Sequence, residues 1–308
     1  MARRRVARPN EQVESPVARR GPSLGFLLAL PAHLLILVTV LVPSILVVWL
    51  SLTDWQPTQG IPWYAAPIIG LWNFSDLFND QRFVGAVLRT IVIVVVSVLA
   101  ELGLGLALAL LFLDDWPWRK FAVAVIVLPM MIVPVDAANA FFMLFNERGP
   151  INQIIGLVVG HQYTFGWLAD PDWALLPILL AEIWQWAPLT FLLLLTAFLS
   201  APRNQWRAAL SLGASPMRAF LRVLLPLTLP VILVAAIIRG IETFKIFDVI
   251  YILTRGGPGT ATETISMFMY NGAFVYFRIG YIAAAALLVL VVVGTFCLAL
   301  VRSLGRQA

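Results

Sequence analysis

The 308-residue chain has a single cysteine, Cys297, and two histidines, His33 and His161, far apart. One thiol excludes an internal disulfide framework, and two separated imidazoles leave no material for a zinc cluster. Charge is scarce too: Asp, Glu, Lys and Arg make up 12% of the chain, against roughly a quarter in a soluble domain. No Gly-Lys pair occurs, so there is no G-x-x-x-x-G-K-[ST] loop to cradle nucleotide phosphates. A paired His-acid motif and a nucleophile elbow are also missing, which weighs against a membrane-embedded enzyme using Glu182, Glu242 and Asp248 as catalytic carboxylates. No inverted repeat is evident, as a secondary transporter would show.

What is present is apolar. Hydrophobic residues make up 61% of the chain and the mean hydropathy is +0.90, the composition of an integral membrane protein. The formal charge of +5 then belongs to basic loops beside lipid rather than to a nucleic-acid surface, and no nucleic-acid partner is expected. Crossing the hydrocarbon core takes roughly 20 helical residues. Apolar runs of that length lie at residues 24–52, 84–113, 120–145, 173–199, 227–253 and 278–301. The expected fold class is an all-α membrane protein with six transmembrane helices. The first run exceeds the h-region of a signal peptide and no small-residue cleavage site closes it, so it is expected to be retained.

Orientation follows from lysine and arginine, which concentrate in cytoplasmic loops. Arg3, Arg4, Arg5, Arg8, Arg19 and Arg20 precede the first run. Arg119 and Lys120 follow the second, Arg203, Arg207, Arg218 and Arg222 lie between the fourth and fifth, and Arg302 and Arg306 close the chain. The opposite loops hold Arg82, Arg148, Arg255 and, at a helix edge, Arg278. Both termini are therefore expected in the cytoplasm, with residues 1–23 a disordered basic tail, 24–302 the membrane domain and 303–308 a second tail. The outward loops are rich in Trp, Tyr and Pro, as in "HQYTFGWLADPDW", and suit the membrane interface.

The cytoplasmic loop at residues 200–226 has its own design. Pro202 opens a helical pattern in which Trp206, Ala209 and Leu210 share one stripe. Gly213 stops it, since glycine accepts the left-handed conformation past a helix end. Ser215 caps a second helix whose first position is Pro216, with Met217, Phe220, Leu221 and Leu224 on a second stripe before Pro226. Periodicity alone fits either an amphipathic surface helix resting on headgroups or a bent helix pair that docks on a cytoplasmic partner.

The spacing Ala208-Ala209-x-x-x-Gly213-Ala214, followed by Val223-x-Leu225-Pro226, resembles the EAA loop of permease subunits of binding-protein-dependent ABC importers. Arg207 stands where that family usually has glutamate, and Leu212 where an acid often precedes the glycine. The segments "FMLFNERGPIN" (142–152), "YILTRGGPGTATETI" (251–265) and "FRIGYIAA" (277–284) resemble the carbohydrate-uptake branch, which serves sugars, polyols and glycerol phosphate. The resemblance covers most of residues 24–301. It implies a multi-pass subunit of the bacterial cytoplasmic (inner) membrane that imports a carbohydrate by alternating access. It also implies Arg207, Ala208, Ala209, Gly213, Ala214, Ser215 and Pro226 as the surface that couples to an ATPase. The partners implied are two cytoplasmic ABC ATPases that bind ATP and Mg, an extracytoplasmic solute-binding protein, and a second permease that is a homologue rather than a copy. No cofactor is expected on this chain.

Ionisable groups at membrane depth default to functional hypotheses. The fourth run puts Glu182, Gln185 and Trp186 on one helical face, planar polar groups beside an aromatic ring, as carbohydrate recognition requires. The fifth holds Arg239, Glu242, Lys245 and Asp248 at three-residue steps, a spacing that suits pairing along the helix. Thr243 and Phe247 follow Arg239 at i+4 and i+8. Glu182, Gln185, Trp186, Arg239, Thr243 and Phe247 are the pathway candidates; the alternative is an interhelical network that fixes packing. Arg89, Glu101 and Asp136 lack evident partners and are read as structural, while Asn139, near Asp136, is a further candidate for the pathway. His33 and His161 are also read as structural.

Overall fold

The computed structural model describes residues 24–305; the tail expected at 1–23 and residues 306–308 lie outside that range. Among the described residues the structure is helical, and the one β-type pairing is an isolated bridge between Thr53 and Ile68. The helices are α1 (Leu24–Ser51), α2 (Trp72–Asn79), α3 (Gln81–Leu111), α4 (Arg119–Val127), α5 (Pro134–Leu144), α6 (Pro150–Val159), α7 (Leu175–Ser200), α8 (Arg203–Ser211), α9 (Pro216–Ala219), α10 (Leu225–Phe244), α11 (Asp248–Leu253), α12 (Ile265–Tyr270) and α13 (Ile279–Gly305). Residues up to Val47 form one compact unit and those from Val48 another. The first holds most of α1, which is predominantly apolar with no polar face, and His33 Nδ1 lies 2.7 Å from the Ala29 carbonyl of its own helix.

Among the described residues, four helices are long and apolar enough to cross a membrane: those at Leu28–Ser51, Gln81–Leu111, Leu175–Ser200 and Pro216–Phe244. The third expected span is not one straight rod. Residues Arg119–Met131 and Pro134–Leu144 meet at 93°, because Pro129 and Pro134 each withdraw a backbone donor from the helical ladder around the break. Counting that bent pair as one span gives five. The fifth expected span is also divided, with α10 ending at Phe244 and α11 starting at Asp248. Residues 303–305, expected in a tail, continue α13.

Three apolar clusters lie in succession along α3. Phe83 and Ala86 pack with Ile265, Phe268, Tyr281 and Ala284. Ile93 packs with Ile178, Ala181, Ile250 and Met267. Ala109 and Phe112 pack with Phe191, Leu194, Phe198, Phe220 and Leu224. The start of α3 is fixed by Asp80, whose carboxylate accepts from Arg82 N at 2.8 Å and Phe83 N at 3.3 Å and from the Tyr281 hydroxyl at 2.6 Å. In lipid, helices gain little from burying apolar surface against each other, so close approach and hydrogen bonds decide their contacts. Gly105 is where α3 and α7 touch: a Cβ there would sit 2.5 Å from Thr190 Oγ1 and 2.8 Å from Phe191 N. Thr190 Oγ1 donates across that crossing to the Glu101 carbonyl at 2.8 Å.

Candidate functional site

On α10, Ala235, Arg239 and Thr243 recur at four-residue steps and are buried. Arg239 therefore points between α3 and α7 and takes its partners there. Its Nε donates to Glu101 Oε2 at 2.6 Å. Its Nη2 faces Glu101 Oε1 at 3.0 Å, Glu182 Oε1 at 2.8 Å and Thr243 Oγ1 at 3.0 Å. Thr243 in turn donates to Glu182 Oε1 at 3.2 Å, which closes the circuit. The Trp186 ring covers the guanidinium, with its centroid 4.7 Å from Cζ. Arg239 is 1% exposed, Glu101 0% and Glu182 4%, so three ionisable groups tie α3, α7 and α10 together out of contact with bulk water. One guanidinium faces two carboxylates, so the cluster carries no net positive charge whether one or both are ionised.

Four pathway candidates, Glu182, Trp186, Arg239 and Thr243, thus come together. Gln185, on the same helix, is engaged elsewhere: its Nε2 donates to the Ile132 carbonyl at 2.8 Å, in the break between the helices of the bent span. Its Oε1 is buried without a partner. Phe247 lies beyond the end of α10 and stacks on Tyr251 at 5.4 Å. Asp136 and Asn139 are exposed on α5, with Asn139 bonded to the Val135 carbonyl of its own helix. In the loop between α6 and α7, His161 Nδ1 lies 3.1 Å from the Gln162 carbonyl.

Two sequence-based readings change. Arg239 does not pair along its helix with Glu242. Glu242 instead meets Lys245 at 3.1 Å on an exposed face, while the buried arginine requires carboxylates that are themselves buried. Glu101, read as structural and partnerless, is the bidentate partner of Arg239. Their separation of 138 residues hides the pair from local inspection. The available signal was the stripe Ser97, Glu101, Gly105 and Ala109, small or polar at four-residue steps in an otherwise Leu- and Val-rich helix, and all buried.

Glu263 organises a second set of contacts, near the start of α3. It is 1% exposed and accepts from Arg82 Nε at 2.7 Å and Nη2 at 2.6 Å, and from Asn271 Nδ2 at 2.9 Å. Its carbonyl accepts from Arg89 Nε at 2.9 Å, which supplies the partner that Arg89 lacks in the sequence reading. Thr262 Oγ1 donates to the Gly257 carbonyl at 2.8 Å. The "RGGPGTATET" segment is thereby a fixed turn packed on α3.

The elbow at residues 200–226 has the expected breaks. Gly213 adopts φ +85°, Ser215 accepts from Arg218 N at 3.4 Å, and Pro216 occupies the first turn of α9. Past Ala219 the helix widens by one residue over Phe220–Leu224 and runs into α10, with Pro226 in its first turn. Phe220 and Leu224 are buried, whereas Met217 is 67% and Leu221 51% exposed, so the second stripe is split between core and surface. Arg207, Ala208, Gly213, Ser215 and Pro226 are exposed, and Ala209 and Ala214 half-buried. A cleft of about 320 Å³ opens beside α8, with Asp114, Trp206 and Arg207 on its walls.

Residues 22–307 match the family described as "Binding-protein-dependent transport system inner membrane component". The chain belongs to this family. The permease is a translocation subunit of an ABC importer, and its family is not one of enzymes. It is 30% identical over 272 residues to the trehalose/maltose transport system permease protein MalF of Thermococcus litoralis, with 88% of this chain and 89% of that protein covered. It is 31% identical over 268 residues to the sulfoquinovosyl glycerol transport system permease protein SmoG of Agrobacterium fabrum, covering 85% and 84%. A bacterial ABC transporter involved in import of the acidic polysaccharide alginate superposes with a TM-score of 0.79 at 22% identity, over 92% of this chain and 95% of that one. That last likeness shows the permease shares its fold.

Proposed function

We propose that this permease imports a carbohydrate, a sugar, glycoside or polyol, into the cytoplasm by alternating access. The observation that carries the reading is the half-buried Trp186 ring set over the buried Arg239, Glu182 and Thr243 between α3, α7 and α10. An aromatic ring and several hydrogen-bonding groups converge there, toward the end of α10, and relatives of this chain are named for trehalose/maltose and sulfoquinovosyl glycerol transport. Glu182, Trp186, Arg239 and Thr243 line the path, while Gln185 acts at its edge by holding the bent span to α7 and Phe247 lies on its outward continuation. Six spans cross the membrane, the bent pair α4–α5 and α13 included, and both termini face the cytoplasm. Arginines crowd the elbow, as they do the cytoplasmic loops of membrane proteins.

The elbow is the coupling surface. Arg207, Ala208, Ala209, Gly213, Ala214, Ser215 and Pro226 present two short helices at a fixed angle, a shape that fits a groove on a cytoplasmic partner. That partner is an ABC ATPase, present in two copies that bind ATP and Mg; this chain holds no cofactor. A homologous second permease completes the path, and an extracytoplasmic binding protein delivers the substrate to the outer face of the cytoplasmic membrane. The test is Trp186→Ala in the complex with its partner subunits. Sugar uptake falls while the subunits remain assembled and hydrolyse ATP; unchanged uptake kinetics remove Trp186 from the path.

A further inference from the structure

Beyond the Arg239 cluster, four aromatic rings continue from the end of α10. Phe247 stacks on Tyr251 with centroids 5.4 Å apart and planes at 27°. Tyr270, from α12, lies 5.1 Å from Phe247 and 5.4 Å from Tyr251, and Phe274 follows Tyr270 at 5.3 Å. The Arg255 guanidinium sits 5.7 Å from the Tyr251 ring. Phe247, Tyr251 and Tyr270 are half-buried against the cluster around Ile250 and Met267, and Phe274 is 67% exposed. The rings are thus supported by the core and still partly accessible.

Rings of this kind at a membrane protein's surface suit either lipid or water. The neighbouring charges decide between them. Lys245 is 61% and Glu242 56% exposed, and Asp248, three residues before Tyr251 on α11, is exposed as well. Charged groups at the end of a spanning helix are costly against acyl chains and sit in water, at the headgroup level or on a water-filled cavity. A wet surface with contiguous rings, two phenolic hydroxyls and a guanidinium presents both things a sugar offers contacts to: apolar C–H faces for the rings and hydroxyl groups for the polar tips.

We infer that Phe247, Tyr251, Tyr270 and Phe274 form a carbohydrate subsite along which sugar rings pass between the outer mouth and the Arg239 cluster. Its occupant is the pyranose or furanose ring of the transported solute, so the inference rests on the carbohydrate reading above. Tyr251 and Tyr270, the centre of the strip, contribute most.

The experiment uses the transporter assembled with its partner subunits in proteoliposomes, in a Cys297→Ser background. Tyr251→Cys reacts with a membrane-impermeant thiol reagent, and a panel of neutral mono- and disaccharides slows the reaction. Tyr251→Ala combined with Tyr270→Ala raises the KM for uptake by about tenfold, the loss of two ring contacts, with ATP hydrolysis and assembly retained. Tyr251→Phe with Tyr270→Phe keeps the rings and recovers most of that loss, which a merely structural disturbance would not do. An unreactive cysteine, or an unchanged KM in the double alanine variant, overturns the subsite and leaves the carbohydrate reading standing. If the unsubstituted transporter takes up no sugar of the panel, the carbohydrate reading falls and the subsite with it.

Discussion

Replacing Arg239 with leucine tests the buried cluster most severely. The substitution leaves Glu101 and Glu182, 0% and 4% exposed, facing each other without the cation that both contact at 2.6–2.8 Å. Removing one partner of a buried ion pair costs about 3–5 kcal/mol, chiefly because the remaining charge is stranded. Two stranded carboxylates put Arg239→Leu at the upper part of that range. A change of 1 kcal/mol moves the melting temperature of a large domain by roughly 2 °C, so the purified protein in detergent should melt about 8–10 °C lower. The second arm neutralises everything, with Glu101→Gln, Glu182→Gln and Arg239→Met together. Uncharged side chains of similar volume strand no ion, and most of the lost stability should return. A shift below about 2 °C for Arg239→Leu, or a triple variant no more stable than the single one, would mean that no stranded charge is left at this crossing of α3, α7 and α10. The same triple variant also separates stability from transport, because it removes the charged groups proposed for the path.

Three further outcomes follow from geometry. Gly105→Leu should destabilise by about 1–3 kcal/mol through overpacking, since even the Cβ meets Thr190 and Phe191; Gly103→Leu, where nothing lies within 4 Å of the Cβ, is the matched control in thermal unfolding. Glu263→Ala removes the acceptor of Arg82 and Asn271, and limited proteolysis should then cut residues 254–264 faster while the spans stay protected. Gly213→Val meets no neighbour but places a β-branched residue at φ +85°, a cost of about 1–2 kcal/mol; it should leave the spans inserted and lower the ratio of solute transported to ATP hydrolysed, whereas Gly213→Asn, which tolerates the left-handed region, should be milder.

The membrane class and the elbow were legible because both are local. Hydropathy over about 20 residues marks a span, and Gly213, Ser215 and Pro216 each act on their own backbone. Two long apolar runs nevertheless hid breaks: Pro129 and Pro134 bend one, and the other parts between Phe244 and Asp248. Hydropathy counts side chains and is blind to a missing N–H. The site was half legible. Glu182, Trp186, Arg239 and Thr243 stood out as polar or aromatic groups at membrane depth, but pairing along α10 was the wrong expectation for Arg239. Which carboxylate meets it depends on how α3 packs against α7, and that is set by Gly105 and Thr190, a contact between distant stretches of chain. The Glu263 contacts were hidden for the same reason, since Arg82 lies 181 residues away.

We propose that this chain is the carbohydrate-conducting half of an ATP-driven importer. The most direct test is uptake of labelled sugars into proteoliposomes that hold the permease, its partner permease and the ATPase, with the binding protein supplied on the outer face. Accumulation should require ATP and Mg on the ATPase side and stop without the binding protein. Accumulation that proceeds in the absence of ATP, driven by an ion gradient alone, would contradict this proposal.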